Sequence, residues 1–122
     1  MTNTVQQGTT TVRDADTGRV LAHRLEWATN PWTRFRGLMM RSRLEDGGGM
    51  VIRPCGSIHM MFMRFPIDAV FFDADGAVTK VAQGVRPWTG FVMGGRGAKA
   101  VIELPPGAAM GVETGHRLEF TS

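Results

Sequence analysis

The stretch CGSIHMMFMRFPIDAVFFD, residues 55–73, holds the single cysteine, one of three histidines and three of nine methionines. Thiolate and thioether sulfur select Cu(I), and imidazole joins them readily. In an extended chain successive side chains point to opposite faces. His59, Met61 and Met63 then share one face, and Ile58, Met60 and Phe62 the other. The first set is a candidate soft-metal site. The competing reading is packing, because flexible, polarisable methionine fills irregular core gaps. No CxxC, HxxxH or HExxH spacing strengthens the metal reading, and no motif calls for a cofactor. A Cys55–His59 nucleophile pair is disfavoured, since four residues of strand separate them by about 13 Å.

Two carboxylates sit inside apolar runs, Asp68 in FPIDAVFF and Glu103 in VIELPPG. A buried carboxylate needs a partner. Arg36, Arg41 and Arg64 are the expected partners for Asp68, in an ion pair or as one wall of a polar pocket. With a pKa driven towards neutrality by burial, Asp68 or Glu103 also has the chemistry of a general base. Twelve of the fourteen basic residues are arginine, and six of these lie between residues 34 and 64. The planar guanidinium forks onto carboxylate or phosphate, so this basic bias marks a rim for an anionic group. There is no GxSxG elbow and no Walker loop. GGRGAK at 94–99 precedes a strand rather than the helix N-terminus that a phosphate cradle requires, and reads as a mobile surface loop.

The elements that must position these residues read mostly as strands. TTTVRDADTGRVLAHRLEWA forms a hairpin, Thr10–Arg13 against Arg19–Trp27, around the turn DADTG. Period two puts Leu21, His23, Leu25 and Trp27 on the more apolar face, with His23 packed there. One short helix is expected at about 31–38, with Asn30 as cap, Pro31 in the first turn and Trp32, Phe35 and Leu38 or Met39 on one face. Further strands are expected at Met50–Arg53, Ser57–Met63, Ile67–Asp73, Ala77–Val85 and Lys99–Leu104, with HRLEF closing the sheet. GVRPWTGFVMGGRG reads as a long glycine-rich connection. Many short strands with Gly and Pro turns give a mainly β fold, a compact single-domain β-sandwich or partly closed β-barrel. Residues 1–9 form a flexible N-terminus, and residues 10–122 the domain.

At 122 residues the chain is one domain, able to bury roughly 65% of its unfolded surface. A lone cysteine excludes an internal disulfide. The formal charge of +3 is a weak footprint for nucleic acid, which is not expected as a partner. No run approaches the roughly 20 apolar residues of a membrane span. The N-terminal MTNTVQQGTTTV lacks a signal-peptide pattern, so the expected location is cytoplasmic.

RFRGLMMRSRL, GGGMVIRP, SIHMMFMRFPIDAVFFDADGAV and AVIELPPG, in this order, resemble the DUF192 (UPF0127) family of small bacterial and archaeal proteins over about residues 10–120. The resemblance implies a compact β-rich domain and supplies no reaction. It marks Arg36, Gly37, Leu38, Met39, Arg41, Met50, His59, Met63, Pro66, Asp68, Glu103, Pro105 and Gly107. Gly115–His116 stands where such proteins carry GD, so a catalytic aspartate is not expected there. The leading reading is a non-catalytic binding or accessory module, rather than an enzyme. Its Arg-rimmed pocket, built from Arg36, Arg41, His59, Arg64, Asp68 and Glu103, would take a small anion, a peptide or a partner protein. The alternatives are Cu(I) binding through His59, Met61 and Met63, and a small hydrolase or isomerase using Asp68 or Glu103. A monomer or weak dimer is expected.

Overall fold

The computed structural model describes residues 5–7, 10–30, 43–60 and 63–121. Its strands are β1 (Val5–Gln7), β2 (Thr11–Asp14), β3 (Val20–Ala22), β4 (Arg24–Ala28), β5 (Gly48–Ile52), β6 (Ser57–His59), β7 (Ile67–Phe72), β8 (Val78–Val85), β9 (Phe91–Met93), β10 (Ala100–Leu104) and β11 (Leu118–Thr121). They make a six-stranded sheet of order β1-β4-β5-β10-β7-β8, a three-stranded sheet β11-β2-β3 and a two-stranded ribbon β6-β9. The large sheet starts at β1 and ends at β8, so it is open and the barrel alternative does not hold. There is no helix among the described residues. The short helix expected at about 31–38 lies outside them and is not borne out by what is described.

The large sheet is covered on both faces, which explains its sequence. β7 and β10 are buried at every position, as strands sandwiched between two layers must be. In β10, Ala100, Ile102 and Leu104 pack with Leu25, Val51, Val70 and Phe72 against Val12, Leu21, Ala22 and Leu118 of the three-stranded sheet. Val101 faces the other way, joining Met50, Ile52, Ile67, Ala69 and Phe71 under Ile58, Met60, Met63 and Phe65. The alternation of period two thus divides one sheet between two cores.

β4 and β5 run parallel, Arg24 opposite Gly48 through Ala28 opposite Ile52, so the chain between them is a crossover connection. β1 pairs with β4, which makes Val5–Gln7 part of the sheet although residues 1–9 read as a flexible N-terminus. The expected single strand Arg19–Trp27 is broken at His23. Leu21 and Ala22 are both buried, whereas His23 is exposed. The amides of His23 and Arg24 both donate to the carbonyl of Gly47, at 2.9 and 3.1 Å, and this bend moves the chain from the small sheet to the large one. His23 is therefore not the packed core residue that alternation alone predicts.

The DADG turn forms as expected. Asp73 Oδ1 accepts from the amides of Asp75 and Ala77, both at 2.9 Å, and Gly76 has φ +87°. These bonds hold the Asp73 carboxyl below its ordinary range, the Ala77 amide contributing most.

Candidate functional site

Asp68 lies on the β7 face that it shares with Val70 and Phe72, and is 1% exposed. Its partners are not arginines. Oδ1 accepts from the amide of Gly84 at 2.9 Å, and Oδ2 from the amides of Gly107 and Ala109 at 2.9 and 3.0 Å. The carboxylate ties the end of β8 and the loop after Pro105–Pro106 to the centre of the sheet. Both oxygens are engaged by structure, which leaves little for a general base to use. Arg64 is exposed and takes no part. Arg36 and Arg41 lie outside the described residues.

Glu103 is placed differently. It sits in the central strand opposite Met50 on one side and Ala69 on the other. It shares their face and is 6% exposed. Among the described residues no hydrogen-bond donor or cation reaches it. Burial alone pushes its carboxyl up from 4.5 to about 7, because desolvation disfavours the charged form. Glu26 is in register with Met50 on the adjacent β4, so Glu26, Met50, Glu103 and Ala69 form one row on this face. Asp68 and Glu103 project to opposite faces of the sheet and do not form an acid–base pair.

Over this same face lies the β6–β9 ribbon, with Ser57 opposite Met93, Ile58 opposite Val92 and His59 opposite Phe91. Ile58 and Val92 point inward to the core. His59 is exposed, as are Phe91 at 62% and Met93 at 63%. The strand expected to reach Met63 stops at His59, because the amide of Met63 turns back to the carbonyl of Met60 at 3.0 Å. Met60 and Met63 are buried together in the core, and Met61 is outside the described residues. The structure therefore separates His59 from Met63 instead of gathering them on one face. Cys55 is half-buried, and its Sγ donates to the carbonyl of Ser57 at 3.0 Å.

The loop entering β9 is clamped to β6. Trp88 N–H donates to the carbonyl of Met60 at 2.7 Å, and Met60 N–H to the carbonyl of Gly90 at 2.9 Å. Between these bonds Trp88 adopts φ +68°, a left-handed conformation unusual for a bulky side chain, and is 57% exposed. Backbone strain of this kind persists only where surroundings over-determine it, and it clusters at functional sites. Trp88, Phe91 and Met93 were hidden inside the connection GVRPWTGFVMGGRG. Their only signal was Phe-Val-Met alternation, three residues long and bounded by glycines.

The cations around the ribbon are also set apart. Residues 53–66 and 84–99 carry Arg53, Arg64, Arg86, Arg96 and Lys99 and no acid, leaving nine basic against eleven acidic residues elsewhere. All five are exposed, and none pairs with another described residue. The other described arginines are all engaged. Arg13 pairs with Glu119, and Arg43 with Glu45 at 3.8 Å. Arg19, Arg24 and Arg117 donate to the carbonyls of Gly107, Asp46 and Asp75, at 3.3, 2.7 and 2.7 Å.

At the far side of the molecule, His116 Nδ1 lies 2.8 Å from Oδ2 of the fully buried Asp14. Asp14 Oδ1 accepts from Asp16 N–H at 2.9 Å, and Asp16 Oδ2 from Arg117 N–H at 2.8 Å. The Asp14 bond raises the His116 pKa against a smaller opposing effect of burial, and the charges of Asp14, Asp16 and Glu113 add to the rise. Burial pulls Asp14 upward, but the His116 hydrogen bond, the Asp16 amide, the His116 charge and the Thr17 amide together hold it below 3.8. The three side chains Asp14, Asp16 and His116 could converge on a cation. Their present bonds instead clasp β11 to the turn after β2.

Comparison with known proteins gives a consistent assignment. The family DUF192, described as "Uncharacterized ACR", matches residues 11–120. A UPF0127 protein of Thermococcus sibiricus is 33% identical over 109 residues, 84% of this chain and 70% of the relative. A second, of Pyrococcus furiosus, is 33% identical over 108 residues, 84% of this chain and 91% of the relative. A crystal structure of a protein of unknown function from Novosphingobium aromaticivorans superposes with TM-score 0.80 at 26% identity, covering 93% of this chain and 85% of that one. One from Sinorhizobium meliloti, described as a candidate transcription regulator, gives TM-score 0.80 at 25% identity over 98% of both chains. No helix among the described residues is long and apolar enough to cross a membrane.

Proposed function

We infer a binding role, from the premise that the chain belongs to the DUF192 family, whose description names no reaction. The protein is read as a non-catalytic binding module for an anionic group, carried by a small molecule, a peptide or a partner protein. The observation that supports this is the outer face of the β6–β9 ribbon. Three apolar side chains more than half exposed are carried by segment 84–99, which together with segment 53–66 carries five exposed cations without partners among the described residues. Aromatic, methionine and arginine side chains are those enriched where proteins bind. His59 stands opposite Phe91 in this ribbon, and Arg64, Arg36 and Arg41 remain proposed members. The test is a titration of the full chain with inorganic phosphate, poly-glutamate and duplex DNA, followed by amide chemical shifts. Shifts concentrated at residues 57–64 and 86–99 are expected with at least one probe. Their absence with every probe refutes the reading.

Glu103 supports a second reading. A carboxyl held near neutrality by burial has the acidity of a general acid or base, as a small hydrolase or isomerase would need. Activity towards ester, amide or isomerisable substrates that disappears in Glu103→Gln, with the fold intact, would establish it. Equal turnover by the two proteins would remove it.

A further inference from the structure

We propose that the β6–β9 ribbon is a peripheral membrane-docking surface and that its partner is a bilayer carrying anionic headgroups. This rests on the binding role inferred above and names the partner of that face. Three features point to lipid. First, the outward face of the two-stranded ribbon offers apolar side chains beside its strand edges. Ile58 and Val92 are turned inward, and Phe91 and Met93 stand outward from alternate positions of β9. A peptide adding as a strand would use the backbone edge and leave these side chains unused. Second, the apolar tip is bracketed by charge. Trp88, Phe91 and Met93 fall between Arg86 and Arg96 in RPWTGFVMGGR. This order lets apolar groups enter the acyl boundary while long cationic side chains stay at headgroup level. Third, the indole is held in place. The paired backbone bonds to Met60 fix Trp88 at φ +68° with its side chain 57% exposed. Tryptophan is the amphipathic ring favoured at the membrane–water interface.

The unpaired cations supply the charge complementarity. Elsewhere on the described surface arginines are neutralised or hydrogen-bonded within the chain. Here Arg53, Arg64, Arg86, Arg96 and Lys99 have no such partner among the described residues. Each cation close to an anionic leaflet strengthens attachment roughly fivefold at low salt, and the effect falls off within a Debye length. The attachment is therefore reversible and salt-sensitive, with the protein lying on the surface.

The experiment is co-sedimentation of the full-length protein with two vesicle types. One is pure phosphatidylcholine, and the other is phosphatidylcholine and phosphatidylglycerol in equal parts. Binding to the anionic vesicles only, released by high salt, is expected. Brominated lipid should quench tryptophan emission, and Trp88→Phe should abolish that part of the quenching. The double variant Phe91→Ser, Met93→Ser should lose attachment while keeping the wild-type unfolding midpoint, since both side chains are exposed. The pair Arg86→Gln, Arg96→Gln should weaken it about 25-fold. Equal binding to both vesicle types, or anionic binding untouched by both double variants, overturns the proposal. So does failure on vesicles with binding to poly-glutamate or duplex DNA through residues 57–64 and 86–99, an outcome that leaves the binding role standing. Failure with vesicles and every soluble anion removes both.

Discussion

Glutamine in place of Glu103 should make the protein more stable at neutral pH and remove most of its pH dependence between mildly acidic and neutral conditions. In the folded chain the Glu103 carboxyl holds its proton up to about pH 7, against 4.5 for an ordinary glutamate. Between those values the native state binds more protons than the unfolded state, so stability falls as pH rises. Each pH unit in that window costs about 1.4 kcal/mol. The full loss is on the order of 3 kcal/mol and is complete above about pH 7. Glutamine matches the shape of the protonated acid and stays neutral, so the variant escapes the loss. Urea unfolding from about pH 4 to pH 8 would show it. The wild-type and variant midpoints should nearly coincide at the acid end and separate by roughly 1–3 M at the alkaline end, given urea slopes of 1–3 kcal/mol/M. A constant gap across the range, or a wild type that gains relative to the variant as pH rises, would refute the reasoning. Either result would mean that the carboxylate ionises in the fold with a cation or donor beside it.

Replacing Asp68 with Ala strands the amide of the buried Ala109 and leaves those of Gly84 and Gly107, at exposed positions, to be met by water. At about 1–3 kcal/mol for a buried unsatisfied group, chemical denaturation should show a loss of that size; a neutral result would count against the clamp. Gly94→Ala places a Cβ 2.4 Å from Cδ2 of Phe71, whose ring is fully buried. Overpacking should cost about 1–3 kcal/mol, and a neutral thermal-melt result would show that the ribbon shifts freely over the sheet. The Asp14–His116 clasp has its own pH signature, because a histidine pKa raised in the fold gives stability that is full below 6.5 and lost as pH rises through the raised value. Asp14 acts in the other direction, its contribution being present above 3.8 and lost as pH falls through its depressed value. His116→Gln should therefore narrow the wild-type advantage at alkaline pH, and unfolding curves that stay parallel above neutrality would discount the ion pair.

Much of this fold was legible from local pattern. The apolar runs IDAVFF and AVIEL form the buried central strands, DADG turns β7 into β8, and DADTG turns β2 into β3. Each depends on neighbours a few residues away, where period and turn chemistry act. Strand ends were less legible. The strand breaks at His23 because the carbonyl of Gly47, 24 positions later, accepts from the amides of both His23 and Arg24. β6 stops at His59 because Met63 folds back on Met60. The ribbon partner β9 was missed because three residues between glycines carry too little periodicity.

The candidate sites divide in the same way. Asp68 and Glu103 stood out in sequence as carboxylates inside apolar strands, and both are buried. Sequence determined the two exceptions, the β character around them and the family. Tertiary structure decided their fates. Asp68 meets amides 16, 39 and 41 positions away, while Glu103, on the opposite face, meets none among the described residues. It likewise decided that Trp88, Phe91 and Met93 come to the surface together beside His59. The physical reason is that a carboxylate's charge state and a side chain's exposure are set by whatever packs within a few ångströms. In a sheet with strand order β1-β4-β5-β10-β7-β8, those neighbours come from distant parts of the chain.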